Sequence, residues 1–437
     1  MSTELLTLLF FGSLFLFVFL GAPLAFVLGG VSSVFLYCTW GIDGFFLIGG
    51  RVWSTMNSFT LVSIPLFILM ALILERTGIA DALYRMMHLW IGNVRGGLAV
   101  GTVVICTIFA AMVGISGAAV VSMAAVALPA MLDRGYDKKL ALGSINAGGG
   151  LGILIPPSVV MIIYALNTGT SVGALFAAGI MPGILLATLV SLYILLRCWL
   201  QPELAPALPD HEKGDWNEKF RALRAVLLPM GIVMMVLGSI LSGIATPTEG
   251  AAIGVLGALI AALVHGSFSI SMLRQALLKT LAISGMIMWI MIGAQVFSTA
   301  YNAMGAQSFI MDLVANIPGG AVGALVVMLT IVFLLGMVLD PIGIMLITLP
   351  VFSPIVSQYG FDPVWFGILF VIMMEVGYMT PPFGFNLFYL KGAAPPEISM
   401  GDIYKSVGPY VAVIIAGLVL IAVFPQIALW LPGVLHE

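Results

Sequence analysis

Residues 97 to 132 form a run of 36 residues without one charged side chain, too apolar for a soluble surface and too long for a single membrane crossing. As one helix the run would rise about 54 Å, whereas a hydrocarbon slab of about 30 Å needs about 20 residues. It is interrupted at Val113-Gly114-Ile115-Ser116-Gly117-Ala118, so it is expected to fold back as a re-entrant hairpin with that break as its tip. Only 8% of the chain is charged and 61% is hydrophobic, against about 25% charged residues in soluble domains. Apolar runs of spanning length recur throughout, which makes the fold class an all-α polytopic membrane protein. The first of them, Leu5 to Leu20, has no basic leader and no evident small-residue cleavage site, and is read as a retained span rather than a signal peptide. Cys38, Cys106 and Cys198 lack the paired spacing of metal or redox motifs and read as packing residues. The net charge of -3 is spread through short loops and offers no basic patch to nucleic acid.

The chain repeats itself. At an offset near 224 residues, Pro23 pairs with Pro247, Gly96-Gly97 with Gly319-Gly320, Leu128-Pro129 with Leu349-Pro350, Gly135-Tyr136-Asp137 with Gly360-Phe361-Asp362, and Pro156-Pro157 with Pro381-Pro382. The first repeat is placed at 1–200 and the second at 225–437. Between them lies the one strongly polar stretch, 201–224, read as a cytoplasmic linker carrying Lys213, Lys219, Arg221 and Arg224. Lys and Arg accumulate in cytoplasmic loops. Arg76, Arg85, Arg95, Arg134, Lys138 and Lys139 crowd the first half, whereas nothing between Lys279 and Lys391 is basic. Equivalent loops are therefore expected on opposite sides, as in the inverted repeats of secondary transporters, whose sites lie near the bilayer midplane where the repeats meet.

Each half is expected to hold an interfacial arm helix, 78 to 92 in the first half, because that stretch is too short and too charged to span. Each then holds a hairpin: 97–132, opening to the cytoplasm beside Arg95 and Arg134, and 321–352, broken near Gly336 to Pro341 and opening to the periplasm. After each hairpin comes a helix broken by Gly and Pro, 138–167 around Gly148 to Pro157 and 363–391 around Gly377 to Gly384. Proline removes a backbone donor and disfavours helix in the residue before it. Unwound backbone survives at membrane depth only where it lines a cavity or is buried in protein. There its carbonyls can ligate a cation while half-helix N-termini face an anion. The alternative is plain packing, since small residues allow close helix contact.

The polar residues divide similarly. Thr246-Pro247-Thr248-Glu249 could be chemical but fits a capping box, with Pro247 at the first helical position. Asp340 either caps the second hairpin's second arm or supports a cation site from behind. Glu375 is a functional candidate as an intramembrane carboxylate, or it reaches a polar cavity without such a role. Ser116, Ser158, Thr380 and Asn386 stand at the breaks, where they could ligate a cation, bond a carboxylate, or satisfy local backbone. His88, His211, His265 and His436 have no metal-ligand spacing, so no metal-dependent chemistry is expected.

At these motifs the sequence resembles the large membrane (M) subunit of tripartite ATP-independent periplasmic (TRAP) transporters, of the ion transporter superfamily. The residues that carry the resemblance are Ser63-Ile64-Pro65-Leu66-Phe67, Ser116-Gly117, Arg134-Gly135-Tyr136-Asp137, Ile155-Pro156-Pro157-Ser158, Thr246-Pro247-Thr248-Glu249-Gly250, and Thr380-Pro381-Pro382-Phe383-Gly384 with Asn386-Leu387-Phe388. The resemblance implies an elevator-type secondary active transporter in the bacterial inner membrane. It implies two partners, a small four-helix membrane subunit and a periplasmic substrate-binding protein, and cargo that is a small organic acid anion, a carboxylate (a dicarboxylate among them) or sulfonate, moved by sodium symport. Carried onto this chain, one Na+ site would involve Ser116, Gly152, Ile155 and Pro157, and the other Gly336, Gly377, Thr380 and Phe383. Substrate would meet Ser158 and Asn386. This tip has Ala118-Ala119 where many relatives keep further serines, which leaves the first site more dependent on backbone.

Such coupling is energetically sound, because each elementary charge crossing 100 mV gains about 2.3 kcal/mol. No GxxxxGK[ST] motif occurs, so the chain has no P-loop with which to use ATP. The rival readings are a stand-alone sodium/carboxylate symporter of the same superfamily and a channel. An intramembrane enzyme lacks a credible nucleophile and base.

Overall fold

A computed structural model describes residues 2–114, 116–207 and 215–436, with the backbone alone for Ala110, Ala111, Val113, Ala225 and His436. Ile115 at the first tip, and Lys213 and His211 in the linker, lie outside the described residues. Every regular element among the described residues is a helix. Six helices are long and apolar enough to cross a membrane, or seven if the bent pair Asp43–Met56 and Phe59–Glu75 counts as one span. The chain is a multi-pass membrane protein.

Four stretches build a scaffold by crosswise packing. Leu24–Trp40 lies along Ile270–Ala303, and Ser63–Glu75 along Pro247–Val264, so each half seats a helix on the other half. The contact is close: a Cβ at Gly293 would stand 2.6 Å from the Ala25 carbonyl oxygen, the backbone approach that small residues permit. Phe10 of the helix Thr3–Phe19 stacks on Phe297 at 5.2 Å. The capping box reading holds, since the Thr246 hydroxyl accepts from the Glu249 N–H (3.3 Å) and the Glu249 carboxylate from the Thr246 N–H (2.8 Å). The equivalent positions differ in one respect: the first half bends by 57° at residues 57 and 58, while Ile270–Ala303 runs 34 residues unbroken. The Asn57 amide donates to the Trp53 carbonyl at 2.8 Å and so finishes the first helix.

Both hairpins form. The first pairs Gly97–Val113 with Ser116–Leu132, and the second Gly320–Gly336 with Pro341–Gln358. The second arm of the latter runs past the expected end at 352 despite Pro350 and Pro354, because Phe352, Ile355 and Val356 are buried and hold the helix together. Asp340 caps this arm, accepting from the Ile342 and Gly343 N–H groups at 3.2 and 3.4 Å. At the base of the first hairpin the Leu98 N–H donates to the Tyr136 hydroxyl (3.3 Å), and burial pushes that phenol up to about 12. Arm helices occupy Ile79–Ile91 and Ala306–Ala315. The first buries Ile79, Leu83, Tyr84 and Met87 and exposes Asp81 and Arg85.

Two expectations change. The linker is shorter than 201–224, because a helix starts at Trp216 and places Lys219, Arg221 and Arg224 on its opening turns. Asp215 accepts from the Trp216 N–H at 2.7 Å, and the Trp90 indole donates to the Lys219 carbonyl at 3.1 Å, which ties those turns to the arm helix. Cys106 and Cys198 are buried, but Cys38 is exposed and is no packing residue.

Candidate functional site

The first broken helix starts at Asp137, whose carboxylate accepts from the Leu140 N–H at 3.0 Å. It runs from Lys138 to Gly150, tightens into a 3-10 turn at Leu151–Ile153, unwinds through Pro156-Pro157 and resumes as Val159–Thr168. Ser158 makes the restart: its hydroxyl donates to the Ile153 carbonyl (2.6 Å) and accepts from the Met161 N–H (3.4 Å). The second starts at Asp362, which accepts from the Val364 and Trp365 N–H groups at 2.8 and 2.9 Å. It runs from Pro363 to Tyr378, unwinds, and resumes as Phe385–Ala393. Here the Thr380 hydroxyl donates back to the Val376 carbonyl (2.7 Å), and the Tyr404 hydroxyl donates to that of Pro382 (2.6 Å). Both Pro-Pro bonds are cis.

These breaks leave acceptors over. Among the described residues the carbonyls of Leu154, Ile155, Pro156 and Pro157 receive no hydrogen bond, and neither do those of Thr380, Pro381 and Phe383. Buried carbonyls normally find partners, and those of Leu154 to Pro157 lie in buried residues, where they remain acceptors without a donor. No cluster of three or more His, Cys, Asp or Glu side chains that could hold a metal occurs among the described residues.

The hairpin tips close on the breaks. Gly114, at φ +62°, turns the first tip so closely against the Pro157 carbonyl that a Cβ there would clash with its oxygen. The Ser116 hydroxyl donates to Asn386 Oδ1 at 2.8 Å, a buried bond between the first hairpin and the second broken helix. A Cβ at Gly117 would lie 2.7 Å from the Tyr389 ring. In the second half, a Cβ at Gly377 would lie 2.7 Å from the Gly336 Cα, and the Asp340 carboxylate is within electrostatic reach of Tyr378 and Tyr389.

The residues singled out in the sequence are thus distributed as follows. Ser116 and Pro157 come together through the first tip. Gly152 and Ile155 are buried just before Pro157, with the Ile155 side chain turned to Gly183. Gly336, Gly377 and Thr380 form a second group, in which the Thr380 N–H donates to the Gly377 carbonyl at 3.1 Å. Phe383 is 57% exposed. Asn386 meets Ser116, whereas Ser158 spends its hydroxyl on backbone.

Glu375, a candidate from the sequence, joins this site together with Asn146 and Tyr378, which the sequence patterns do not single out. Neither oxygen of the fully buried Glu375 has a hydrogen-bond partner, and Oε1 lies 2.7 Å from where a Gly150 Cβ would stand. One turn earlier on that helix face, both amide atoms of Asn146 are also unpartnered, as are Asn386 Nδ2 and the Tyr378 hydroxyl. Buried polar atoms without partners call for an ion, water or ligand. A lone Asn in the apolar stretch 140–150, and Tyr beside Pro-Pro, were the signals available.

A profile of the "Tripartite ATP-independent periplasmic transporter, DctM component" matches residues 11–427. The chain belongs to that family. It is 32% identical over 413 residues to the ectoine TRAP transporter large permease protein TeaC of Halomonas elongata, covering 92% of this chain and 95% of that one. It is 33% identical over 407 residues to the C4-dicarboxylate TRAP transporter large permease protein DctM of Pseudomonas aeruginosa, covering 92% and 93%. The crystal structure of the YdaH transporter of Alcanivorax borkumensis superposes with a TM-score of 0.65 at 16% identity, over 96% of this chain and 98% of that one. That likeness speaks for the fold alone. As a TRAP large permease the chain is a transporter component and not an enzyme.

Proposed function

We propose that this TRAP large permease takes up a small organic acid anion, a carboxylate or sulfonate, across the bacterial inner membrane with Na+ as co-transported cargo. A periplasmic binding protein delivers the anion, and a small four-helix subunit completes the scaffold. One Na+ is held by Ser116 and the backbone at Gly152, Ile155 and Pro157, the other by Gly336, Gly377, Thr380 and Phe383. The free Nδ2 of Asn386 donates to the anion. Ser158 acts by setting the N-terminus of Val159–Thr168, whose N–H groups favour negative charge. The observation that carries this reading is the Ser116–Asn386 bond at 2.8 Å, because it couples a cation ligand of one repeat to an anion ligand of the other.

The two hairpins and broken helices move together as the elevator against the crossed scaffold. The basic loops put the base of the first hairpin in the cytoplasm and that of the second in the periplasm. Relatives whose names specify ectoine and C4-dicarboxylate stand at nearly equal identity, which favours no single acid. The test is uptake of a panel of radiolabelled organic acids by proteoliposomes holding the permease, the small subunit and the binding protein. Uptake is expected only with an inward Na+ gradient. Uptake by this chain alone would favour the stand-alone symporter, and non-saturating current would favour a channel.

A further inference from the structure

A polar cleft of about 400 Å3 lies between the helices Asp43–Met56 and Ile270–Ala303 and the second hairpin, at the far end of the first broken helix and with neither Pro-Pro break in its lining. Arg51 of the helix Asp43–Met56 lines it, with Asn167, Gln295, Asn302, Gln307 and Ser353. Arg51 is the one charged side chain in the lining, and it makes no hydrogen bond or ion pair among the described residues. The side chains of Gln295, Asn302, Gln307 and Ser353 likewise have no hydrogen-bond partner there. A guanidinium with five free donors, faced by amides and hydroxyls, is suited to a carboxylate. The cleft is at a defined end of the molecule. The helix that begins at Lys138, beside Arg134, is continued by one that ends near Asn167, and Ser353 lies toward the base of the second hairpin. The cleft therefore faces away from the basic loops, and no other basic residue occurs between Lys279 and Lys391 to compete for an anion.

We propose that this cleft is an anion-receiving vestibule, which holds carboxylate-bearing cargo on the Arg51 guanidinium before the cargo reaches the unwound breaks. The identity of the ligand as cargo rests on the transport reading above; the binding of an anion does not. A single cation in a cleft walled by protein also focuses its field and raises the local anion concentration.

The test uses membrane vesicles carrying the assembled permease, in a Cys38→Ser background with Ser353→Cys as reporter. The reporter is labelled with a sulfonate-bearing methanethiosulfonate and with its trimethylammonium counterpart. The anionic reagent is expected to react faster, and Arg51→Gln to lower the anionic-to-cationic rate ratio by about tenfold, the scale of one partly screened charge nearby. Millimolar succinate is expected to protect the reporter, with protection lost in Arg51→Gln. Arg51→Lys should keep the ratio but weaken protection, since an ammonium cannot grip a carboxylate bidentately. An unchanged ratio in Arg51→Gln overturns the proposal. So does failure of succinate to protect, the result expected of a lodged phospholipid headgroup or of steering without binding. If all this holds but the complex takes up no organic acid, the vestibule stands and the transport reading falls.

Discussion

The two unwound stretches share a sequence pattern but not an environment. Residues 154 to 158 are buried throughout, whereas Pro382 and Phe383 in the second stretch are exposed. Ile155 is 9% exposed and Phe383 57%. The first is sealed by the tip of its hairpin at Gly114 and by Gly179 of Val172–Leu200, where a Cβ would stand 2.6 Å from the Leu154 carbonyl oxygen. The second is covered on one side, by Gly336, and is otherwise held by the Tyr404 hydroxyl. Unwound backbone in a membrane must be buried or line a cavity; the first break is buried, and the second is exposed at Pro382 and Phe383. One motif thus produces a closed break and an open one.

The largest effect expected is an all-or-none difference in labelling. In a Cys38→Ser background, Phe383→Cys should react with a membrane-impermeant maleimide in inside-out vesicles, and Ile155→Cys should not. Equal reactivity of the two would remove the distinction between open and closed breaks. Next in size is Gly377→Ala. Its Cβ would meet the Gly336 Cα at 2.7 Å and the Phe333 carbonyl oxygen at 3.0 Å, backbone atoms that cannot swing aside. Overpacking costs about 1–3 kcal/mol, and this site should lie at the upper end, read as a fall in melting midpoint in detergent. Gly12→Ala, with nothing within 4 Å, is the control and should melt like the parent.

A third, smaller difference separates two hydroxyls. Ser116 donates across the repeats to Asn386, while Thr380 donates to its own helix at Val376. Ser116→Ala leaves the buried Asn386 side chain without its partner and should cost about 1–3 kcal/mol. Thr380→Ala should cost less than about 1 kcal/mol and act instead on the Na+ concentration for half-maximal uptake. If Thr380→Ala melts earlier than Ser116→Ala, the bond between repeats is not the stronger tie.

Much of this was legible because Gly and Pro act locally. The breaks at Gly114, Pro156-Pro157 and Pro381-Pro382, and the capping box at Thr246, follow from backbone chemistry within a few residues. The helical start at Trp216 is tied down by Lys219 meeting Trp90 across the fold, which no local pattern carries, and the bend at residues 57 and 58 rests on the Asn57–Trp53 bond, with no Gly or Pro to announce it. The same applies to the site. Ser116 and Asn386 could each be suspected at its own break, but their pairing spans 270 residues of sequence, and the stand of Glu375 against Gly150 is equally non-local. Exposure escaped as well: nothing in the sequence around 155 and 383 says which break would be covered, because the cover comes from Gly179 and Gly183 in a helix outside both motifs.

The smallest expected difference bears on that cover directly. The Ser158 hydroxyl and the Tyr404 hydroxyl each donate to a carbonyl of a broken helix at 2.6 Å, Ile153 in the closed break and Pro382 in the open one. Their geometry is alike, so a difference in cost comes from the surroundings. Ser158→Ala removes a fully buried bond and the cap of Val159–Thr168, and should cost about 1–2 kcal/mol. Tyr404→Phe removes a bond that water can replace, and should cost about 0.5 kcal/mol. Melting midpoints of both variants in one detergent, with and without Na+, decide it. If the two falls are equal, water does not reach Pro382, and the second break is as closed as the first.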